Sequence, residues 1–199
     1  MIEFLMPVFL FAFTSSVTPG PNNMMLTSSG ATFGFRRTLP HMVGIAFGFP
    51  AMVFIIGLGL AQIFIASPLL QQVLKFISIL YFLYLAWRIA LSGRSTSRSV
   101  SKPLNFFQAA AFQWVNPKAW IMAIGAIGAY THDGENRLGE IILIVACFFI
   151  SGLFSNTLWA GFGTVIGKWL SSHLRLRVFN VTIAILLLAS LIPVLTSLK

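Results

Sequence analysis

Between residues 4 and 27 the chain reads as one apolar helix, except that Thr18-Pro19-Gly20-Pro21-Asn22-Asn23 stands inside it. The two prolines remove backbone donors and resist continuing a regular turn, while Gly20 tolerates conformations that other residues avoid. In hydrocarbon, backbone groups freed by such a break must find partners, so a broken helix survives only inside protein or beside a water-filled cavity. Two asparagine amides directly after the break add polar groups that a merely structural kink does not need. A second break, Asn116-Pro117-Lys118, interrupts a later apolar stretch. Paired interruptions in two halves of a chain point to a transporter's binding site.

Composition decides whether hydrocarbon is the solvent. The chain is 57% hydrophobic and 9% charged, against roughly 25% charged residues in a soluble domain. Six apolar stretches, near 4–27, 40–66, 68–91, 106–130, 138–164 and 179–198, approach or exceed the ~20 helical residues that a crossing takes. The predicted fold is all-α: a polytopic membrane protein of six transmembrane helices, forming one integral domain over 1–199. The first stretch is expected to be retained, since Glu3 is its only early charge and it has neither a basic leader nor a small-residue cleavage site. Cys147 is the one cysteine. It admits no intrachain disulfide and reads as a small core residue.

The net charge of +9 is unevenly spread. Arg36 and Arg37, then Arg88, Arg94, Arg98 and Lys102, then Lys168, Arg175 and Arg177 fall in or beside alternate loops, nine of the 13 basic residues. The opposite loops are neutral or acidic, with Asp133, Glu135 and Glu140 against Arg137. Basic loops stay cytoplasmic, so both termini are predicted outside. The bias argues against nucleic acid as a partner; the lipid bilayer is the expected one. Trp87, Tyr130 and Trp169 fall near helix ends as interfacial anchors would.

Residues 93–103 are rich in Ser and Arg and read as a linker between halves at 1–92 and 104–199. Aligning Pro21 with Pro117 sets the two breaks at equivalent places. Three helices per half make the second half enter from the opposite side, the arrangement of an inverted 3+3 repeat with broken helices 1 and 4. Gly30/Gly34, Gly44/Gly48 and Gly163/Gly167 have the spacing of close helix packing. Gly57, Gly59, Gly161 and Gly163 could instead give hinge freedom.

Few hydrophilic side chains lie deep in these stretches. Lys118 is the most costly, at roughly +2.5 to +3.5 kcal/mol for a central lysine, and such residues mark ligand or ion paths. Either it meets a substrate carboxylate, or it snorkels to an interface or satisfies carbonyls freed by Pro117. Asn22, Asn23 and Asn116 can hold a zwitterion without carrying charge, or cap the half-helix that follows each break. Asn156, with Ser155 and Thr157, gives the fifth helix a polar patch, as cavity lining or as packing glue. Gln113 and Trp114 are weaker candidates. The predicted substrate-binding set is Asn22, Asn23, Asn116, Lys118 and Asn156, with Pro19, Gly20, Pro21 and Pro117 as hinges. No Asp or Glu lies deep in a span, and His41, His132 and His173 are scattered near predicted loop ends without ligand spacing. No metal, cofactor, phosphate loop or catalytic constellation is expected.

These motifs carry a resemblance. Thr18-Pro19-Gly20-Pro21-Asn22-Asn23, Gly30, Gly34-Phe35-Arg36, Gly44, Gly48 and the later Asn116-Pro117-Lys118 resemble, in order and spacing, the LysE/RhtB amino-acid exporters. The resemblance spans nearly the whole chain. It implies a bacterial inner-membrane carrier exporting amino acids and close analogues, driven by the proton motive force. Where many lysine- and threonine-type members carry an Asp after the second glycine of helix 2, this chain reads Gly48-Phe49-Pro50. That departure disfavours cationic substrates, leaves the coupling residue unidentified, and makes the chain more similar to the branch exporting cysteine and O-acetylserine. The expected function is alternating-access efflux of neutral polar amino acids, with a homodimer left open. A drug or cation efflux pump, or a membrane-embedded enzyme or assembly factor, are the alternatives.

Overall fold

The computed structural model describes residues 2–92, 102–170 and 172–192, and every regular element there is helical. The chain runs α1 (Ile2–Val17), α2 (Pro21–Phe33), α3 (Phe35–Ile55), a π-helical turn (Ile56–Leu60), α4 (Ala61–Ala66), α5 (Pro68–Ala90), α6 (Phe106–Phe112), a 3₁₀ turn (Gln113–Val115), α7 (Pro117–Tyr130), α8 (Arg137–Trp169) and α9 (His173–Ala189). Local chemistry explains the starts. Pro21, Pro68 and Pro117 each open a helix, where the missing N–H has no intrahelical partner to lose. Ser67 and Ser172 accept hydrogen bonds from Leu70 N and Arg175 N, and Asn105 with Gln108 closes a reciprocal capping box before α6. Gly34, at φ +81°, makes the one-residue corner between α2 and α3. Gly59, at φ +126°, breaks the helical run between α3 and α4.

α8 is the axis of the molecule. α1, α2 and α3 pack along it, α6 lies on α3, and α5 pairs with α9. Small residues set how close these helices come. A methyl on Gly30 would strike the Ala160 carbonyl, and one on Gly163 would strike Thr27 O. Methyls on Gly44 and Gly48 would meet Phe106 and Ala109, and Ala110, respectively. These contacts bring backbones together where no apolar driving force separates side chain from lipid. Two buried apolar clusters result, one around Val8, Met52, Trp120 and Phe148, the other around Leu26, Phe82, Phe112 and Leu187. The outer surface is also apolar: Phe47, Leu58, Phe76, Phe107 and Ile121 are exposed, a face suited to lipid rather than water.

Three helical runs are long and apolar enough to cross a membrane unaided: Phe35–Ala66, Pro68–Ala90 and Arg137–Trp169. The other traverses anticipated from the sequence are made of shorter pieces, α1 with α2 and α6 with α7, or of the 17-residue α9. Boundaries differ from expectation at the basic ends. Arg36 and Arg37 lie in the first turn of α3, Lys168 in the last turn of α8, and Arg175 and Arg177 in α9 rather than in loops. Long basic side chains carry their charge away from the axis, so helices continue beneath them. Gly34 is a corner and not half of a packing pair, and a methyl there would meet nothing. His41 sits well inside α3 and is buried, not near a loop end. Trp87 and Trp169 are exposed at helix ends, whereas Tyr130 packs against Phe11 at 5.8 Å. Most of the expected linker, residues 93–101, lies outside the described residues.

The contacts gather charge at one pole. Asn180 of α9 bonds Ser28 and Thr32 near the end of α2 and also Ser92 O after α5, while Gly167 of α8 abuts Ala31. Arg36, Arg88, Lys102, Lys168 and Arg175 therefore share one end of the bundle. Asp133, Glu135 and Glu140 cap the other.

Candidate functional site: a cavity where two helix breaks meet

Carbonyl accounting around the first break shows what the prolines do. Helical geometry assigns the Ser15 and Val17 carbonyls to N–H groups at 19 and 21, which prolines lack. Ser15 O instead accepts from the Thr18 hydroxyl at 2.8 Å, and Val17 O from the Trp159 indole at 3.1 Å. Ser16 O accepts from Asn23 Nδ2 at 2.9 Å and from Ser155 Oγ at 2.7 Å. Thr18 O accepts from Asn23 Nδ2 at 2.9 Å and from Lys118 Nζ at 2.8 Å. All four acceptors at the end of α1 are thus satisfied by side chains, one from Thr18 in the break itself and the others from α2, α7 and α8. Asn23 therefore caps the helix before the break; α2 itself begins with no side-chain cap at Gly20.

The second break is closed in a comparable way. Pro117 cannot donate to Gln113 O, which accepts from Asn116 N at 3.3 Å, and the Trp120 indole donates to Trp114 O at 2.8 Å. Asn116 Oδ1 accepts from Lys118 N at 3.2 Å, the N-cap expected of it. Two contacts tie the breaks together. Asn22 and Gln113 exchange amide hydrogen bonds at 2.9 and 3.1 Å across 91 residues. Lys118 Nζ reaches over Gly20 to both the carbonyl and hydroxyl of Thr18, at 2.8 and 2.9 Å. A side chain at residue 20 would collide with that lysine, since a methyl there would lie 2.7 Å from Lys118 Cδ.

The breaks bound one cavity of about 490 Å³, counted out to its open side. Its polar lining includes Ser15, Ser16, Asn22, Asn23, Asn116, Lys118, Ser155 and Asn156; Ile45, Phe49, Met122 and Phe148 form apolar wall. The five residues singled out as substrate-binding all line it, as does Gly20. Asn156 also spans two helices, donating to Met42 O of α3 at 3.1 Å. Thr157 does not join it; its hydroxyl bonds back to Leu153 O on an exposed face. Gln113, a weaker candidate in the sequence, and Trp159, which nothing in the sequence singles out, act through partners 91 and 142 residues away.

Three electrostatic features aim at this space. The uncapped N-terminus of α2 carries the positive end of its dipole. Lys118 has three ammonium donors, two of them used on Thr18. Pro50 has no N–H for the Ala46 carbonyl one turn back, and Ala46 and Pro50 both face the cavity. No Asp or Glu is among its lining residues, and no group of three His, Cys, Asp or Glu able to hold a metal exists among the described residues.

A lipid-suited body, helical throughout the described residues and holding a polar cavity at two apposed helix breaks, is the architecture of a membrane translocator. The chain belongs to the LysE type translocator family, whose model matches residues 13–192. It is 28% identical to the cysteine/O-acetylserine efflux proteins of Salmonella typhimurium and Salmonella typhi, over 91% of this chain and 94% of theirs. The cysteine/O-acetylserine efflux protein of Escherichia coli O157:H7 is 27% identical, over 89% of this chain and 90% of its own. No solved structure matches the chain significantly.

Proposed function

We propose that this protein exports neutral, polar amino acids or close analogues across the bacterial inner membrane by alternating access. The cavity carries the reading, because it offers separated places for the two charges of a zwitterion. The carboxylate takes the remaining Lys118 donor and the N-terminal amides of α2. The ammonium takes the Ala46 carbonyl, with the Asn22 and Asn156 amide oxygens close by. A cationic side chain finds no carboxylate there, since Phe49 occupies the wall of α3. The names of the relatives favour cysteine and O-acetylserine as first candidates.

Six traverses follow if α1–α2 and α6–α7 each count as one interrupted crossing. Part of the helix pairing fits an inverted repeat: α3 on α6 is matched by α8 on α1, and the equivalent helices α3 and α8, and α5 and α9, pack on each other, whereas the extensive packing of α2 on α8 has only a slight counterpart in α7 on α3. One half rocking against the other about Pro19, Gly20, Pro21 and Pro117 would expose the cavity to each side in turn. The basic pole faces the cytoplasm. Growth of an overexpressing strain on inhibitory cysteine, O-acetylserine, threonine and homoserine tests the reading. Tolerance to at least one is expected, and tolerance to none would sink it.

A further inference from the structure

A second cavity, of about 400 Å³ counted out to its open side, lies on the basic side of the first. Met25, Ser28 and Ser29 of α2, His41 of α3, Arg88 of α5 and Lys102 contribute to its lining. His41 is 2% exposed, yet neither Nδ1 nor Nε2 has a hydrogen-bond partner. Buried polar groups are nearly always satisfied, so an imidazole with both nitrogens idle calls for an explanation. Its polar neighbours are already engaged. Ser28 Oγ donates to Asn180 Oδ1 at 2.9 Å, and Ser29 Oγ pairs with Thr38 Oγ1 at 3.0 Å. Arg88 donates to Lys102 O at 3.0 Å and lies over the Tyr84 ring, 5.8 Å from its centroid.

We propose that this cavity is a second binding site for a small amino acid, occupied before the solute enters the central cavity. The inference rests on the export reading above. A neutral imidazole has one donor and one acceptor, so His41 can meet either a carboxylate oxygen or an ammonium hydrogen of the solute. Arg88 and Lys102 attract the carboxylate end, and no Asp or Glu lines the space to repel it. Both cavities draw lining residues from α2 and α3. His41 is one turn from Ile45 on α3, and Met25 nearly one turn from Asn22 on α2; Ile45 and Asn22 line the central cavity. Between them Met25, Met42 and Ile45 belong to one buried apolar cluster, which closes the path to a polar solute. Two of the three are methionines, whose unbranched side chains rearrange readily.

Equilibrium binding of radiolabelled cysteine, under reducing conditions, to the purified full-length protein in detergent tests this. The wild type should bind two per chain, and His41→Phe and Lys118→Met one each, at different sites. Lys102→Gln alters an exposed side chain and should survive purification even if the buried His41 variant does not. It should weaken the inner site at least threefold and leave the other unchanged. A single wild-type site, lost in Lys118→Met and unmoved in Lys102→Gln and His41→Phe, would overturn the second site and leave the export reading standing. No cysteine binding by the wild type would overturn the second site, while the export reading falls only if none of the four solutes of the growth panel is tolerated.

Discussion

Lys118 holds the end of α1 from across the molecule and also faces the cavity, so its charge has two uses at one place. Replacing it by Met keeps the stem's bulk while deleting two charge-assisted bonds, typically ~1.5–3 kcal/mol each. Asn23 still serves Thr18 O, so the break stays capped. Lys118→Met is expected to insert normally and to export at least tenfold more slowly in proteoliposomes; a wild-type rate would make the lysine purely structural. The Asn22–Gln113 pair should behave differently. Either alanine variant strands the partner amide, whereas the double variant strands neither, so the single effects should not add. A coupling of about 0.5–3 kcal/mol is expected from a double-mutant cycle on thermal stability in detergent, and strict additivity would show that the pair does not hold the breaks together. Asn22, Asn23, Asn116, Lys118 and Asn156 were legible because polar groups stand out in apolar runs. Their partners were not, since a reciprocal amide pair 91 residues apart is a product of tertiary folding.

Helix breaks are local events written in proline and glycine, and both appear where the sequence puts them: α2 and α7 begin at Pro21 and Pro117. Helix ends in basic segments depend on how far a long side chain can lean outward, and there α3 and α9 start earlier than apolarity alone suggests. Glycine spacing likewise identified candidate packing positions without saying which face they serve. Gly163 and Gly161 separate the cases. A methyl on Gly163 would run into Thr27 backbone, which cannot yield, so α2 must move off α8; a methyl on Gly161 meets nothing. Gly163→Ala should cost about 1–3 kcal/mol, as overpacking does, and lower both folded yield and melting temperature. Gly161→Ala should be neutral or gain up to ~1 kcal/mol from helix propensity. Equal melting temperatures for the two variants would show that the α2–α8 contact does not set stability.

At the scale of the molecule, the charge distribution argues for one orientation. Alternate loops were basic in the sequence, and the fold brings those segments to a single pole through Asn180 and Gly167 although they lie far apart in the chain. A membrane protein placed by its loop charges keeps such a pole cytoplasmic. The proposed inverted repeat adds no preference of orientation: with one interrupted helix and two more per half, equivalent residues would face opposite sides, and the central cavity would lie between two sides that one motion opens in turn. Single cysteines test the orientation in a Cys147→Ala background, which removes a buried thiol that bonds nothing. Glu135→Cys, at the acidic pole, should react with a membrane-impermeant maleimide in intact cells. Ser97→Cys, in the segment joining the halves, should react only after permeabilisation. The reverse pattern would turn the molecule over and move the second cavity to the periplasmic side, where it would be a release site rather than a loading site.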